Sequence, residues 1–280
     1  MTDLELSKAM EDLLVERNLR QMKIAQAALE PGYYLRAAQS LAGLSGPIII
    51  ATGFPVSDTF ETDGPVGAIA LYDALRTLGA NPWLACASPL FEALDGDYQL
   101  LELKARNLSA AKQEASANLK RINPVALVSI ERPGLTADGC YYNMRGENIT
   151  PKCGFFDPYM AQAECPTIAI GDGGNEIGMG NIANAIAKLD IIASTTTCDE
   201  LLVADVSNWG AYGLIAFLSL WSEQDLLTHV SPHVILAYLS AKGSVDGVTR
   251  ENTLTEDGLE SSEGEKVLKE LQELINREKL

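Results

Sequence analysis

The sequence lacks the features that mark several large classes of protein. No run rich in lysine or arginine interrupts a chain whose formal net charge is −17. An anionic surface of this kind repels phosphate backbones, so we expect neither nucleic acid nor an anionic membrane as a partner. The longest apolar stretches, such as 48–51 and 214–220, are too short to span a bilayer. The charged, helix-like N-terminus also lacks the apolar core of a signal peptide.

Cysteine and histidine are scarce as well. The five cysteines are scattered without a CxxC pair, which argues against a disulfide framework and predicts free thiols in a reducing cytoplasm. The two histidines, His229 and His233, lie on either side of Pro232, so we expect a loop there rather than a helix that presents both. Two histidines alone cannot form a histidine-rich zinc site.

Nucleotide-binding motifs are missing too. Counted from Gly171, the dinucleotide motif GxGxxG would need glycine or alanine where Glu176 stands. A frame from Gly178 to Ala183 matches the motif but begins too far from the preceding apolar strand. No glycine-lysine-serine or glycine-lysine-threonine step completes a P-loop. The motifs therefore support neither NAD nor ATP as a cofactor.

What the sequence does contain is an alternation of apolar, β-branched runs with helical patterns. Strands are predicted at 47–51, 83–87, 125–130, 167–170, 191–193 and 201–206, and helices at 2–30, 33–44, 65–78, 108–121, 158–163, 182–189 and 209–221. Parallel crossover units of this kind build an α/β fold with a doubly wound, mostly parallel sheet and helices on both faces.

Three segments follow from this pattern. Residues 1–46 are expected to form helices packed on the main domain, and residues 47–257 are expected to form the α/β domain itself. Residues 258–280 are expected to comprise an acidic linker and, from Glu265 to Leu280, an amphipathic helix. The apolar stripe of this helix would pack on the body or on a sister subunit, so a homo-oligomer is one expected arrangement.

In an open parallel sheet, ligands bind beyond the carboxyl ends of the strands, and four segments there have unusual sequences. In the first, Glu61 and Asp63 precede Gly64 and Pro65 at a predicted helix N-terminus, a place suited to a ligand carboxylate or phosphate. Asp63 could equally be a simple N-cap. Glu61 has no such local role and could bind a metal or an ammonium group.

The second and third segments carry arginines. Glu131 and Arg132 end a predicted strand, and the planar guanidinium suits a carboxylate, although a surface ion pair is the alternative. Asn143 and Arg145 lie in a loop that could equally be a structural turn with solvated charges. Because both arginines follow the same strand of an otherwise acidic protein, we expect Arg132 and Arg145 to converge on one anionic group.

The fourth segment is the most informative. Five glycines lie in the ten residues from Gly171 to Gly180, directly after a predicted strand, and this density costs backbone entropy. It makes sense where the main chain approaches a ligand or adopts positive φ. We therefore expect the turn to join a central strand to a helix and to line the main pocket. Its candidate ligand-binding residues are Asp172, Gly173, Gly174, Asn175 and Glu176.

Together these segments resemble the C-terminal domain of the D-glutamate cyclase family. The matching elements, within about residues 47 to 212, are Glu61-Thr-Asp-Gly-Pro-x-Gly67, Glu131-Arg-Pro-Gly134, Asp138-Gly with Asn143-Met-Arg-Gly146, and Gly171-Asp-Gly-Gly-Asn-Glu-Ile-Gly-Met-Gly-Asn181. The resemblance implies a lyase that cyclises D-glutamate to 5-oxo-D-proline with loss of water. Larger relatives carry an additional preceding domain, so the chain could also be a partner or a diverged enzyme.

Residue chemistry suggests roles for such a reaction. Arg132 or Arg145 would bind the α-carboxylate of the substrate, and a carboxyl pair with split pKa values would move the protons. The candidate pair is Asp172 with Glu176 or Glu131. Backbone N–H groups of 173–178 would stabilise the developing oxyanion. Because ring closure is intramolecular, ATP is not needed in principle.

Two other classes stay open. One is a nucleotide or sugar-phosphate enzyme that uses a divalent ion held by Asp63, Asp172 or Glu176. The other is a non-catalytic domain that binds a small ligand. The sequence therefore allows a divalent metal without requiring one, and in each case the expected partner is a small molecule, acidic if it is the cyclase substrate.

Overall fold

The computed structural model describes residues 1–278, and a six-stranded parallel sheet forms its centre. In chain order the strands are β1 (Pro47–Thr52), β2 (Asn81–Cys86), β3 (Leu100–Glu102), β4 (Ala126–Ile130), β5 (Thr167–Gly171) and β6 (Glu200–Val203). Their order across the sheet is β3-β2-β1-β4-β5-β6, and every pairing is parallel. The strand order reverses between β1 and β4, which confirms the predicted doubly wound α/β fold.

Helices flank this sheet. They are α1 (Asp3–Leu14), α2 (Met22–Gln26), α3 (Tyr33–Leu41), α4 (Pro65–Thr77), α5 (Leu90–Leu94), α6 (Leu108–Ile122), α7 (Asp157–Gln162), α8 (Ala183–Ile186), α9 (Ser207–Ser222), α10 (Pro232–Ala241) and α11 (Ser261–Glu278). Two short antiparallel hairpins, Pro55–Val56 with Thr59–Phe60 and Thr255–Glu256 with Leu259–Glu260, lie outside the sheet. Helices α4 and α9 contact each other, as do α6 and α7.

Continuous apolar strands and one nearly all-apolar helix build the core. All five residues of β4 and of β5 are buried, as expected for parallel strands covered on both faces. Helix α9 is buried from Ser207 to Ser219 and packs against α1, α3, α4 and α11 as well as the sheet. The N-terminal helices α1 and α3 therefore share the core of the α/β body.

The predicted helix at 2–30 is wrong as a single element. Helix α1 starts with a capping box between Thr2 and Glu5, but it ends at Leu14. Asn18, Arg20 and Gln21 have positive φ angles, which a right-handed helix cannot contain. The carboxylate of Asp205 accepts the backbone N–H groups of residues 17 and 19, both at 2.8 Å, and this long-range contact holds the break in place.

Three predictions in the second half of the chain also need correction. The strand predicted at 191–193 is not formed in the described structure. The backbone N–H of Ser194, which follows it, donates to Gly174 O in the glycine-rich turn and not to the sheet. His229 lies in a short 3₁₀ turn and His233 in α10, whose first turn accommodates Pro232. Residues 259–260 form a strand and α11 already begins at Ser261, so no linker extends to Gly264. The last two residues of the helix predicted at 265–280 lie outside the described part.

No helix of residues 1–278 combines the length and the apolar character that a membrane crossing would require.

Candidate active site

A cavity of about 420 Å³ opens at the carboxyl ends of β1, β4 and β5, where the strand order reverses. This is the place at which doubly wound sheets bind ligands. The cavity is lined by Arg20, Glu61, Glu131, Asp172, Asn175, Asp257 and by loops around residues 54–57, 143–152 and 247–250. The glycine-rich turn after β5 thus reaches the cavity through two side chains, Asp172 and Asn175.

A cluster of carboxyl groups lies at the bottom of the cavity and directly behind its lining, and we call it the acidic floor. Its members are Glu61, Asp63, Glu131, Asp172, Glu176, Glu256 and Asp257. Six of these residues are buried, and the Asp257 side chain is 6% exposed. Glu61, Glu131, Asp172 and Asp257 line the cavity, and the other members are their buried neighbours. Burial, followed by mutual repulsion, raises the pKa of Glu61, Glu131 and Asp172 well above the ordinary range. It raises the pKa of Asp63 and Asp257 to about 8 and that of Glu256 to about 7.

Asp63 and Asn208 fix this floor by capping each other's helices. Asp63 Oδ1 accepts the backbone N–H of Asn208 at 2.9 Å and Oδ2 that of Ser207 at 3.1 Å, at the start of α9. In return, Asn208 Oδ1 accepts the N–H groups of Gly64 and Gly67 at the start of α4, at 2.8 and 2.7 Å. Asp63 is therefore a helix cap, which was one of the two roles considered from the sequence. It caps α9, however, and not α4, the helix that follows it in sequence.

Glu131 stands where β4 leaves the sheet, in a strained conformation. Its φ of 44° is unusual for a residue other than glycine, and such strain concentrates at functional sites. Ser207 Oγ donates to Glu131 Oε2 at 2.6 Å. Burial, followed by repulsion from Asp172 and Glu176, raises the pKa of Glu131 well above its ordinary value, which favours the protonated carboxyl.

Arg20 brings a positive charge to the acidic floor. Its guanidinium forms ion pairs with Asp172, with Nη1 and Oδ1 2.6 Å apart, and with Asp257. The side chain is 20% exposed. Its charge lowers the pKa of both carboxyls against the effect of burial, and Asp172 and Asp257 also hydrogen-bond each other. The three residues form a carboxyl pair around one cation.

The glycine-rich turn is mainly a packing device. A Cβ atom at Gly178, whose φ is 97°, would lie 2.5 Å from Ala169 Cβ, and one at Gly180 would collide with the backbone of Thr195. Glu176 points back into the turn, where its Oε2 accepts Gly174 N–H at 2.7 Å, and it does not line the cavity. Gly173 and Gly174 do not line it either.

Several backbone donors of the predicted oxyanion hole in this turn already have partners within the protein. The N–H of Gly174 is held by Glu176, that of Ile177 by Arg132 O at 2.9 Å, and that of Gly178 by Thr196 O at 2.9 Å. These three donors are committed within the protein and are not free to stabilise an oxyanion.

The structure also separates the two arginines that we expected to converge. Arg132 is buried, and its guanidinium donates to the carbonyl oxygens of Thr52, Gly53 and Gly154, so it fastens loops together. Arg145 is exposed at the rim of the main cavity, and no carboxylate of residues 1–278 lies within ion-pair distance of it. Arg145 is thus available to a ligand and Arg132 is not.

Two loops meet over the cavity and form its rim. Arg145 Nη2 donates to Val248 O at 3.2 Å, and Arg250 forms an ion pair with Glu147 at 3.0 Å. Asn143 shapes the first loop: its Oδ1 accepts the N–H groups of residues 145 and 147, both at 3.0 Å. The polar groups of Asn143 are therefore used largely within the loop.

One further property of the floor concerns cations. Asp63, Glu131 and Asp172 each offer a carboxylate oxygen, and these atoms all lie within 4.8 Å of one another. Oxygen ligands in such a group suit magnesium, manganese or calcium. All three residues are buried, so the group could hold a divalent ion only if the carboxyls lose their protons on binding.

The sequence matches a known family over most of its length. A family model described as D-glutamate cyclase-like, C-terminal, matches residues 10–272. The chain belongs to the D-glutamate cyclase-like family. The predicted family is thus confirmed, and the match extends beyond residues 47–212 to include Arg20 and Asp257.

The relatives of this family member differ from it in length. It is 32% identical over 211 residues to the human mitochondrial D-glutamate cyclase, a match that covers 66% of this chain and 34% of that protein. The chain therefore spans about a third of that relative. Among solved structures it is similar to an exopolyphosphatase-related protein from Bacteroides fragilis, with a TM-score of 0.42 and 9% identity over 88% of this chain and 57% of the other.

Sequence reasoning about this D-glutamate cyclase-like chain missed Arg20, Asn208, Glu256 and Asp257. Arg20 lies in a segment predicted to be helical, and Asp257 lies directly before a predicted linker. A polar pair at the start of the most apolar helix, Ser207 and Asn208, was the one available signal, because such residues favour helix N-termini.

Proposed function

We propose that this chain is a D-glutamate cyclase-like enzyme that converts D-glutamate to 5-oxo-D-proline by intramolecular loss of water. One observation carries the proposal: a cavity at the switch point of the sheet combines Arg145 at its rim with the carboxyl pair Asp172 and Asp257 around Arg20 at its floor. An arginine suits the α-carboxylate of the substrate, and carboxyls of high pKa suit proton transfer near neutral pH.

Proton transfer is assigned to the carboxyl pair. Asp257, with a pKa of about 8 beside Arg20, accepts a proton from the substrate ammonium. Asp172, whose pKa lies well above the ordinary range, returns a proton to the departing hydroxyl. Two neighbouring carboxyls, one acting as base and the other as acid, supply both proton transfers. Asp257 thus takes the place that we first expected for Glu176.

The remaining steps use Glu131 and the shape of the cavity. The amine nitrogen attacks the γ-carboxyl carbon, and the protonated Glu131 donates a hydrogen bond to the oxygen that becomes negative. The nitrogen–carbon bond of the ring forms, Asp172 protonates the hydroxyl of the γ-carboxyl group, and the carbon–hydroxyl bond breaks with loss of water. The ring nitrogen then gives its second proton to the Asp172 carboxylate, which restores the acid. Because both reacting groups belong to one molecule, the cavity needs only to hold the folded conformer, and no nucleotide is required.

The test is to incubate the pure chain with D-glutamate and with L-glutamate, with and without EDTA, and to measure 5-oxoproline by chiral chromatography. We expect product from D-glutamate that persists in EDTA. Asp172→Asn and Asp257→Asn should each lower kcat by roughly 10² or more. Asp95→Asn, an exposed aspartate outside the cavity, is the matched control.

Other outcomes would redirect the proposal. If neither enantiomer gives product, the alternative of a non-catalytic domain that binds a small ligand is favoured. That alternative fits a chain that spans about a third of its human relative. If both aspartate variants keep full activity, the chemistry lies elsewhere, with Glu131 and Glu61 as the next candidates.

A second candidate is a metal-dependent reaction in the same cavity, and the carboxylate group of Asp63, Glu131 and Asp172 favours it. Titration calorimetry with magnesium or manganese ions would measure such binding directly. Binding that is lost in Asp172→Asn, together with activity that disappears in EDTA, would replace the carboxyl pair by a metal ion as the catalyst.

A further inference from the structure

The cavity has an apolar side that the cyclisation of glutamate would not use. Phe54, Val56 and Ile149 line it, and we call these three residues the apolar wall. Each is buried, and Phe54 and Ile149 belong to a small apolar cluster separate from the main core. The backbone of Glu61 donates to Phe54 O at 3.1 Å, so the wall adjoins the acidic floor directly.

This wall is held in place by its own contacts. The Lys152 ammonium donates to Ser57 O and lies 3.1 Å from Asp58 Oδ1, which ties the segment after Ile149 to the hairpin that carries Val56. A concave apolar surface beside a few polar groups is the usual design of a small-molecule site. The two methylene groups of glutamate would cover little of such a wall, and cavities of about 300–1,000 Å³ hold considerably larger ligands.

A buried acceptor at the same site is also without a donor. Asn175 Nδ2 donates to Tyr142 O at 3.0 Å, but Asn175 Oδ1 has no hydrogen-bond partner in the described structure. The residue is 2% exposed and lines the cavity. Because an unsatisfied buried acceptor costs roughly 1–3 kcal/mol, this oxygen calls for an N–H or O–H group of the ligand.

We propose that the site also cyclises γ-amides of D-glutamate whose amine part carries an apolar group, releasing that amine in place of water. The inference rests on the proposed function, because the α-amine and α-carboxylate would bind as they do in glutamate. Only the γ-carboxyl is then free to carry a substituent. An amide supplies both the N–H that Asn175 Oδ1 lacks and an apolar group for the wall.

The reaction balances without a further reactant. The α-amine loses a proton to the base of the site and forms the ring bond to the γ-carbonyl carbon. The bond between that carbon and the amide nitrogen breaks, and the acid of the site gives a proton to the departing nitrogen. The products are 5-oxo-D-proline and the free amine, and no water is consumed.

The experiment compares D-glutamate, D-glutamine and the γ-propylamide of D-glutamate with the same pure chain, and measures 5-oxoproline and released amine. Enzyme-free samples correct for spontaneous cyclisation. We expect 5-oxo-D-proline and propylamine in equal amounts, and a kcat/KM for the propylamide about tenfold above that for D-glutamine, the effect of burying a few apolar carbons.

The outcomes separate this inference from the proposed function. Product from D-glutamate without amine from either amide would overturn the inference and leave the proposed function standing. Product from the amides alone would uphold the inference and refute dehydration of D-glutamate. Released amine accompanied by glutamate would show hydrolysis and overturn the inference, and a complete lack of product would overturn both.

A pair of matched variants tests the apolar wall itself. Val56→Phe narrows the cavity at the wall, whereas Val234→Phe changes a residue that is 63% exposed on α10. The ratio of kcat/KM for the propylamide to that for D-glutamine should fall about tenfold in the first variant and stay constant in the second. An equal ratio in both variants would show that the propyl group does not contact the wall.

Discussion

At the scale of single residues, Arg20 decides the electrostatics of the site. Among the seven carboxyls of the acidic floor, Arg20 forms ion pairs with Asp172 and Asp257, and its charge lowers the pKa of these two. A buried group of like charges without a cation would hold its protons more tightly. Arg20 is therefore a positioning residue that keeps the proposed base available near neutral pH.

This role gives the first prediction. Arg20→Met should raise the pKa of Asp257, so the acidic limb of the pH profile of kcat/KM should move to higher pH and the rate at pH 7 should fall at least about tenfold. Arg36→Met is the matched control, because Arg36 on α3 forms an ion pair with Glu200 of β6 and does not line the cavity. A uniform loss of activity at every pH would instead indicate a purely structural role for Arg20.

The glycine-rich turn shows how a residue pattern can be informative for an unexpected reason. The glycines at 178 and 180 are required because neighbouring atoms of the protein approach their α-carbons, not because a ligand does. The Glu176 carboxylate accepts a hydrogen bond from Gly174 N–H within the turn. The turn contributes to the cavity by aiming Asp172 and Asn175 at it from a rigid base.

At the scale of elements, the site depends on how α4 and α9 begin. The exposed N–H groups of each helix are satisfied by a side chain of the other segment, Asn208 for α4 and Asp63 for α9. Asn208 Nδ2 also donates to Glu256 at 2.7 Å. These caps join three distant segments of the chain at the floor of the cavity.

The second prediction follows from these caps. Asn208→Ala should destabilise the protein by about 2–3 kcal/mol, more than the roughly 1 kcal/mol expected for an ordinary cap. The substitution leaves the buried N–H groups of Gly64 and Gly67 and the Glu256 carboxyl without this partner. Asn107→Ala is the control, since Asn107 caps α6 at an exposed position, accepting Ala110 N–H at 2.9 Å. Urea unfolding of both variants measures the difference. An equal loss of unfolding free energy in the two variants would mean that the buried cap stabilises the protein no more than the exposed one.

At the scale of the whole molecule, the acidic floor makes stability depend on pH. Glu256, with a pKa of about 7, and Asp63, with a pKa of about 8, hold protons in the folded protein that they lose at much lower pH when unfolded. Between about pH 4 and pH 8 the folded state therefore binds more protons than the unfolded state. Linkage then requires stability to fall as the pH rises through this window.

The third prediction is that the melting temperature in EDTA is higher at pH 5.5 than at pH 8. Glu256→Gln should make this difference smaller, because residue 256 can no longer bind a proton on folding, even if the variant is less stable at both values. Glu265→Gln, at an exposed position of α11, should leave the difference unchanged. A melting temperature that rises from pH 5.5 to pH 8 would contradict the proposed protonation of the floor.

The sequence by itself determined most of the central strands, several of the helices and the edge of the sheet at which the site lies. The β-branched runs of β1, β4 and β5 and the apolar helix α9 are local patterns, which can be recognised in the sequence without knowledge of tertiary contacts. Polar residues directly after those strands, such as Glu131 and Asp172, must meet at one edge because parallel strands end there together. This is why the α/β fold and most of the acidic floor were predictable.

Only the tertiary structure decided which of those residues face the cavity and what completes it. Arg20 enters because Asp205, far away in the chain, holds the break after α1 open. Asp257 enters because Arg20 binds it, and Arg132 and Glu176 turn away because the backbone groups beside them need partners. Hydrogen bonds of buried polar groups are satisfied by whatever the fold brings near, and sequence spacing does not encode those partners.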